Sequence, residues 1–336
     1  MEVALAPPSL FVCALAFIYA QIAMHLITPT PLQDLLLDPA THPRGQPHLS
    51  AASGLVRAGA WLYLVADDEH HLGLLPAGAA VLQQLPQTPL VQLHRILPGD
   101  LPADPKARKK RKPDLESLAL LPASPTHPHG ALLALGSGSK PNRQRGVVIA
   151  LDANGRPDGA AQVVDLSALY APLRAEFADL NIEGAFVAND CLHLLQRGNK
   201  GDARNACISY PLAPLLAWLA GTRAAPPAPL RTTLFDLGMV DGVPLGFTDG
   251  AALAGGAGGW IFSAVAENTD DSYADGECVA SAIGWVGADG RLLRIASLEG
   301  APKVEGIALD GKERLLMVTD ADDPERASRL WVVALD

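Results

Sequence analysis

Acidic side chains recur along this chain in one local setting. The phrases Ser53-Gly54-Leu55, Glu116-Ser117-Leu118, Glu183-Gly184-Ala185, Asp249-Gly250-Ala251 and Glu305-Gly306-Ile307 each place an acidic or hydroxyl residue before a small one and an apolar run. Their spacings are 63, 67, 66 and 56 residues. Glu116, Glu183, Asp249 and Glu305 are hard oxygen donors. If the fold gathers them, they raise one another's pKa by like-charge repulsion until a cation neutralises them. Ca²⁺ suits such a set, because it takes about six to eight oxygen ligands in flexible geometry.

The elements that must position these acids follow from what comes after each phrase. Every copy leads into short apolar runs, such as 61–66, 131–135, 191–195 and 260–266, bounded by Gly, Pro, Asn and Asp. Runs of that length read as strands. Hairpin turns are signalled at 152–156 and 288–291, where Gly or Asn accepts a positive φ. Repeats of roughly 40 to 50 residues mark propeller blades, and longer ones fit blades with inserted loops. The fifth copy offers runs at 315–319 and 330–335 before Asp336, one strand short. Residues 32–37 resemble the outer runs 91–97 and 291–295 and supply that strand, closing the ring and removing its open edge. The expected fold is an all-β, five-bladed β-propeller. Six blades is the alternative if a degenerate unit precedes Ser53.

In a propeller the start of each inner strand and the end of the second strand meet at one channel mouth. The second strands add Asp67, Glu267 and Asp320 to the expected metal ligands. The same rim receives Lys140, Arg143, Arg197 and Lys200, an expected anion site, and the basic run 106–112. Acids, a metal and Arg/Lys together describe a pocket for a small anionic ligand such as a phosphate ester. Two plainer readings stand beside this one. A carboxylate opening an inner strand can accept backbone N–H bonds and staple adjacent blades, and a basic run can be a solvated loop.

The segments Ala52-Ser53-Gly54-Leu55 leading to Val65-Ala66-Asp67-Asp68, Asp114-Leu115-Glu116-Ser117-Leu118 and Asn181-Ile182-Glu183-Gly184 resemble those of phytase-like bacterial β-propellers, the esterase-like phytase group and its relatives. The resemblance spans residues 50–336. It implies calcium ions at the channel mouth holding phosphate and water, with Glu116, Glu183, Asp249 and Glu305 as ligands, and a metal-dependent phosphoesterase or ester hydrolase activity. The first repeat departs from the pattern with Ser53 in place of an acid. The alternative function is a non-catalytic propeller that binds an anionic ligand or a partner protein.

Composition narrows the rest. A net charge of −10 argues against nucleic-acid binding, and 49% hydrophobic residues supply a large core. Cys13, Cys191, Cys207 and Cys278 form no C-x-x-C pair and read as small buried hydrophobes. Residues 10–24 are apolar but lack a basic flank, which sets them apart from a secretory signal, and they are short for a bilayer span. Three readings follow: translation starting at Met24 with a cytoplasmic product, export to the periplasm, or an anchor. Residues 1–23 are expected to stand outside a single propeller domain at 24–336. His70, His71, His127 and His129 lack zinc spacing and are expected in surface loops. Residues 136–140 fail the P-loop pattern, and no G-x-S-x-G elbow occurs. Residues 211–222 read as a helix on the far face, with Trp218 exposed.

Overall fold

The computed structural model describes residues 25–85, 87–253, 258–268, 277–300 and 302–335. The apolar stretch 10–24, Met24 and Cys13 lie outside them. Five antiparallel sheets surround one axis, and we number the blades I to V in order of their inner strands. From inner to outer edge, blade I is Ala52–Ala58, Trp61–Ala66, His71–Pro76 and Gln92–Arg95. Blade II is Leu115–Leu121, Ala131–Gly136, Arg145–Ala150 and Gln162–Asp165. Blade III is Ile182–Ala188, Cys191–Gln196, Asn205–Pro211 and Arg231–Phe235. Blade IV is Val243–Ala252, Trp260–Asn268, Glu277–Val286 and Leu292–Leu298. Blade V is Val304–Leu309, Arg314–Thr319 and Arg329–Ala334, completed by the N-terminal strand Thr30–Asp34.

The ring therefore closes as the sequence anticipates, with five blades, although the closing strand begins two residues before the expected 32–37. Its pairing with the last strand sets Thr30 against Val332 and Asp34 against Arg329. A short strand ahead of it, His25–Ile27, was not anticipated. It pairs in parallel with the outer strand of blade IV, so the N-terminal segment ties two neighbouring blades together.

Second strands are covered on both faces, which is why Ala131–Gly136 is buried throughout and reads as an unbroken apolar run. Five apolar clusters fill the spaces between blades, one for each neighbouring pair. Helix Ser167–Glu176, not anticipated, and helix Leu212–Leu219 both dock on the cluster between blades II and III. Leu212, Leu215 and Leu219 are buried there and Trp218 packs against them, so the expected exposed Trp face is in fact core contact.

Each inner strand carries a β-bulge at the recurring phrase. Pairing skips Glu116 in blade II, Glu183 in blade III and Glu305 in blade V. In blade I it jumps from Ala52 to Leu55. A bulged residue is unpaired and re-aims its side chain, and here it aims toward the mouth. In blade IV the skipped residue is Thr248, not Asp249. Asp249 thus matches Ser117, Gly184 and Gly306, one position later, and a one-residue slip sends a strand side chain to the opposite side. The small residue at that position lets inner strands touch: a Cβ on Gly306 would lie 1.9 Å from the Ser53 carbonyl oxygen, and one on Gly184 2.7 Å from Asp249 Cα.

Asp249 is 1% exposed. Its carboxylate accepts N–H bonds from Gly250 at 2.8 Å and Ile307 at 2.9 Å, and from Leu55 and Ala185 as well. Blades I, III, IV and V thereby meet on one side chain. Burial pushes this carboxyl's pKa up, and the four N–H groups oppose the rise. Because Asp249→Ala strands buried donors from four blades, it is expected to lower unfolding stability by about 3 kcal/mol or more. A urea midpoint equal to wild type would contradict this role.

Candidate functional site

The bulges and the second-strand ends converge on one cavity of about 790 Å³ at the channel mouth. Glu116, Glu183, Glu305, Asp67, Glu267 and Asp320 all line it, as do Lys140, Arg143, Arg197 and Lys200. Asp249 does not, since its oxygens are taken by backbone donors deeper on the axis. Among the described residues, no aromatic side chain and no histidine lines this cavity.

The acids form two groups. On the side of blades III to V, Arg197 Nη2 donates to Glu267 Oε2 at 2.6 Å, while its Nη1 stands 3.8 Å from Glu183 and 4.0 Å from Glu305. Lys303 Nζ lies 3.0 Å from Glu267, 3.6 Å from Glu305, 3.5 Å from Asp320 and 2.5 Å from Asp322. Two internal bases thus hold together acids expected to share a metal.

On the side of blades I and II, Asp67, Asp114 and Glu116 each offer one oxygen within 4.8 Å of the others. Lys112 Nζ bonds Asp67 and lies 3.0 Å from Asp114. Asp114, held at φ 57°, also accepts from Arg143 Nη1 at 2.7 Å and Ser137 Oγ at 2.5 Å. No hydrogen bond or ion pair reaches Glu116 among the described residues. Arg143 donates further to Ser139 Oγ at 3.1 Å, and its buried Nε–H has no acceptor there. Lys109 and Lys140 line the same corner.

Asp114 and Lys303 are site residues outside those the sequence points to, whereas Lys112 belongs to the basic run expected at the rim. A signal for the first two was present: Asp114, Asn181 and Lys303 each stand two residues before a bulged glutamate, the spacing that keeps side chains on one side of a strand. Asn181 Nδ2 indeed bonds Glu183 Oε1. The basic run forms the helix Pro105–Arg111. Its Arg108 is buried against Asp68 at 2.8 Å, so part of that run is structural rather than solvated. His71 is buried 3.7 Å from Glu69, whose other oxygen bonds His42, so it does not sit in a surface loop as expected. Cys191, Cys207 and Cys278 are free thiols, and burial pushes Cys207 and Cys278 up to about 12.

Burial dominates the electrostatics of the mouth. It pushes Asp67 up to about 7, against Lys112 and with help from Asp68 and Asp114. Glu183 also rises to about 7, through burial opposed by Arg197. Glu116 and Glu305 lie well above the carboxylate range, Glu116 through burial and the nearby Asp114 and Glu183 charges, Glu305 through burial opposed by Lys303 and Arg197. The Asp67, Asp114 and Glu116 set fits a divalent cation in donor type and retains net negative charge, because three carboxylates face one ammonium and one guanidinium and every donor is an oxygen. Three protein oxygens fall short of a calcium shell, so water and a ligand would complete it.

The chain belongs to the Family of unknown function (DUF6929), matched over residues 48–335. No curated protein matches it. Among solved structures it is similar to glutaminyl cyclase of Myxococcus xanthus, at 10% identity and TM-score 0.44, covering 93% of this chain and 100% of that one. An α-L-arabinofuranosidase of Podospora anserina gives 10% and 0.47, with 93% and 96% covered. Regucalcin, a calcium-binding protein of Agrobacterium tumefaciens, gives 11% and 0.42, with 92% and 95% covered. These likenesses carry no functional argument, and the family description names no activity, phytase or other. No described helix is long and apolar enough to cross a membrane.

A carboxyl whose folded pKa is raised contributes stability that is complete below its unfolded pKa near 4 and lost as pH rises through the folded value. The partly buried histidines His70, His94 and His193 have lowered pKa values, and their opposite contribution is complete above about pH 6.5. In metal-free buffer the Tm is therefore expected to fall between about pH 6.5 and 8, by ~2 °C or more per pH unit. Glu183→Gln should flatten that fall. A wild-type Tm that holds or rises across the window would contradict the assignment.

Proposed function

We propose that this propeller binds a small phosphate ester at its channel mouth together with a divalent cation, Ca²⁺ in the first instance, and hydrolyses the ester. The observation that carries the reading is the sharing of Asp114 between the Asp67, Asp114 and Glu116 set and the Lys109, Lys140 and Arg143 corner. An oxygen-rich cation site and a basic anion site thus abut at one side chain. Bound at the three carboxylates, a divalent ion would polarise a phosphoryl oxygen and supply charge stabilisation.

The chain's own groups do the remainder. Arg143 offers its unused Nε–H to a phosphate oxygen. Lys140 is exposed at the rim. Its pKa is lowered by burial and by the neighbouring Arg143, Lys109 and Lys112 charges, though Asp114 opposes this, so an arriving anion is favoured there. Glu183, with a pKa of about 7, can hold or release a proton near neutral pH, which is what acid–base assistance to water attack on phosphorus requires.

Millimolar CaCl₂ is expected to raise the Tm by several degrees and EGTA to reverse it, since ligand in excess of Kd stabilises the native state. Glu116→Gln should abolish the response and lower turnover of a phosphomonoester panel by about 100-fold or more. Ca²⁺-dependent stabilisation and phosphate binding without turnover would leave a binding propeller. No response to Ca²⁺, Mg²⁺ or Mn²⁺ would remove the metal site.

A further inference from the structure

Charge is divided across the cavity. The corner formed by blades I and II presents Lys109, Lys140 and the spare donor of Arg143. The opposite wall, from blades III to V, presents Glu183 and Glu305, which are 7% and 6% exposed. The two bases of that wall are committed elsewhere first: Arg197 to Glu267 at 2.6 Å, and Lys303 to Asp322 at 2.5 Å and Glu267 at 3.0 Å. Glu305 is left with cationic nitrogens only at 3.6 and 4.0 Å, beyond hydrogen-bonding distance, and among the described residues it accepts no hydrogen bond. Glu183 accepts one from Asn181, and its nearest base stands 3.8 Å away. Both are nine-tenths buried, line the cavity and keep acceptor capacity that no described residue uses.

An ionised carboxylate in that position gains from a compact donor of positive charge, and a primary ammonium offers three N–H donors. The metal set is carried by blades I and II, against Lys112 and Arg143, so the two demands fall on side chains of different blades. A cavity of about 790 Å³ is large enough for a ligand that reaches from one wall to the other. We infer that the ligand is dipolar: a phosphate ester that also carries a primary amine, its phosphate against Lys140 and Arg143 and its ammonium against Glu305 and Glu183. This rests on the phosphate reading for one end of the molecule and names the chemistry of the other.

The test is calorimetric binding of a matched pair, 2-aminoethyl phosphate and ethyl phosphate, with 2-aminoethanol as the amine alone, all in buffer containing Ca²⁺. The amino ester is expected to bind at least tenfold tighter than ethyl phosphate. Glu305→Gln should bring the ratio close to one, with Glu183→Gln as a second variant should the first fail to fold. Equal affinities for the pair in wild type overturn the inference and leave the phosphate site standing. Failure of both phosphates, with Glu305-dependent binding of 2-aminoethanol retained, removes the phosphate reading but keeps the amine subsite. Failure of all three removes both.

Discussion

Like charge held out of water is the constraint on which this mouth is built. β-Bulges in blades II, III and V turn Glu116, Glu183 and Glu305 onto one axis, and second-strand ends add Asp67, Glu267 and Asp320. Ionised carboxylates in so small and buried a space cost more than the fold can tolerate unless protons or cations offset them. The chain supplies four internal cations, Lys112, Arg143, Arg197 and Lys303, each bonded to at least one of these acids or to Asp114. Breaking such a buried pair leaves a bare charge and is expected to cost far more than losing a surface pair. What the internal cations leave uncompensated is the chemical capacity of the cavity.

Scaffold and site are separated by a single residue of register. In blade IV the bulge falls on Thr248, whose hydroxyl bonds Ser263 and the Val304 carbonyl, so the acid that follows it turns inward and staples four blades. The same sequence phrase therefore yields a cavity-facing glutamate in three blades and a structural aspartate in a fourth. Asp249 trades solvent for four N–H donors, whereas the glutamates keep a free side toward the cavity. Stability and reactivity are thus drawn from equivalent residues by where the bulge sits.

The ring itself was legible from the spacing of the acidic phrases, and the missing strand of blade V pointed to an N-terminal closing strand. Glu116, Glu183 and Glu305 could be named because a strand start in a propeller has only one place to go. Asp249 was misplaced because sequence similarity aligns it with the glutamates, while the extra residue of a bulge has no signature of its own in the chain. Lys112 could be placed at the rim only as one of a basic run, and Lys303 not at all, because basic residues just before a strand look like solvated loop and only the fold shows them turned inward among acids. Helix Ser167–Glu176 escaped notice since Pro172 interrupts its pattern, and the parallel strand His25–Ile27 is too short to announce itself.

Three bulged glutamates share one cavity with too little internal positive charge to keep all of them ionised. Selective ¹³C labelling of glutamate side-chain carboxyls, followed by NMR titration of the metal-free protein, measures this directly. The account predicts carboxyl resonances, assignable by Gln substitution, with a midpoint of about 7 for Glu183 and midpoints well above the ordinary glutamate range for Glu116 and Glu305. Midpoints for all three near the ordinary glutamate value of about 4.3 would contradict it.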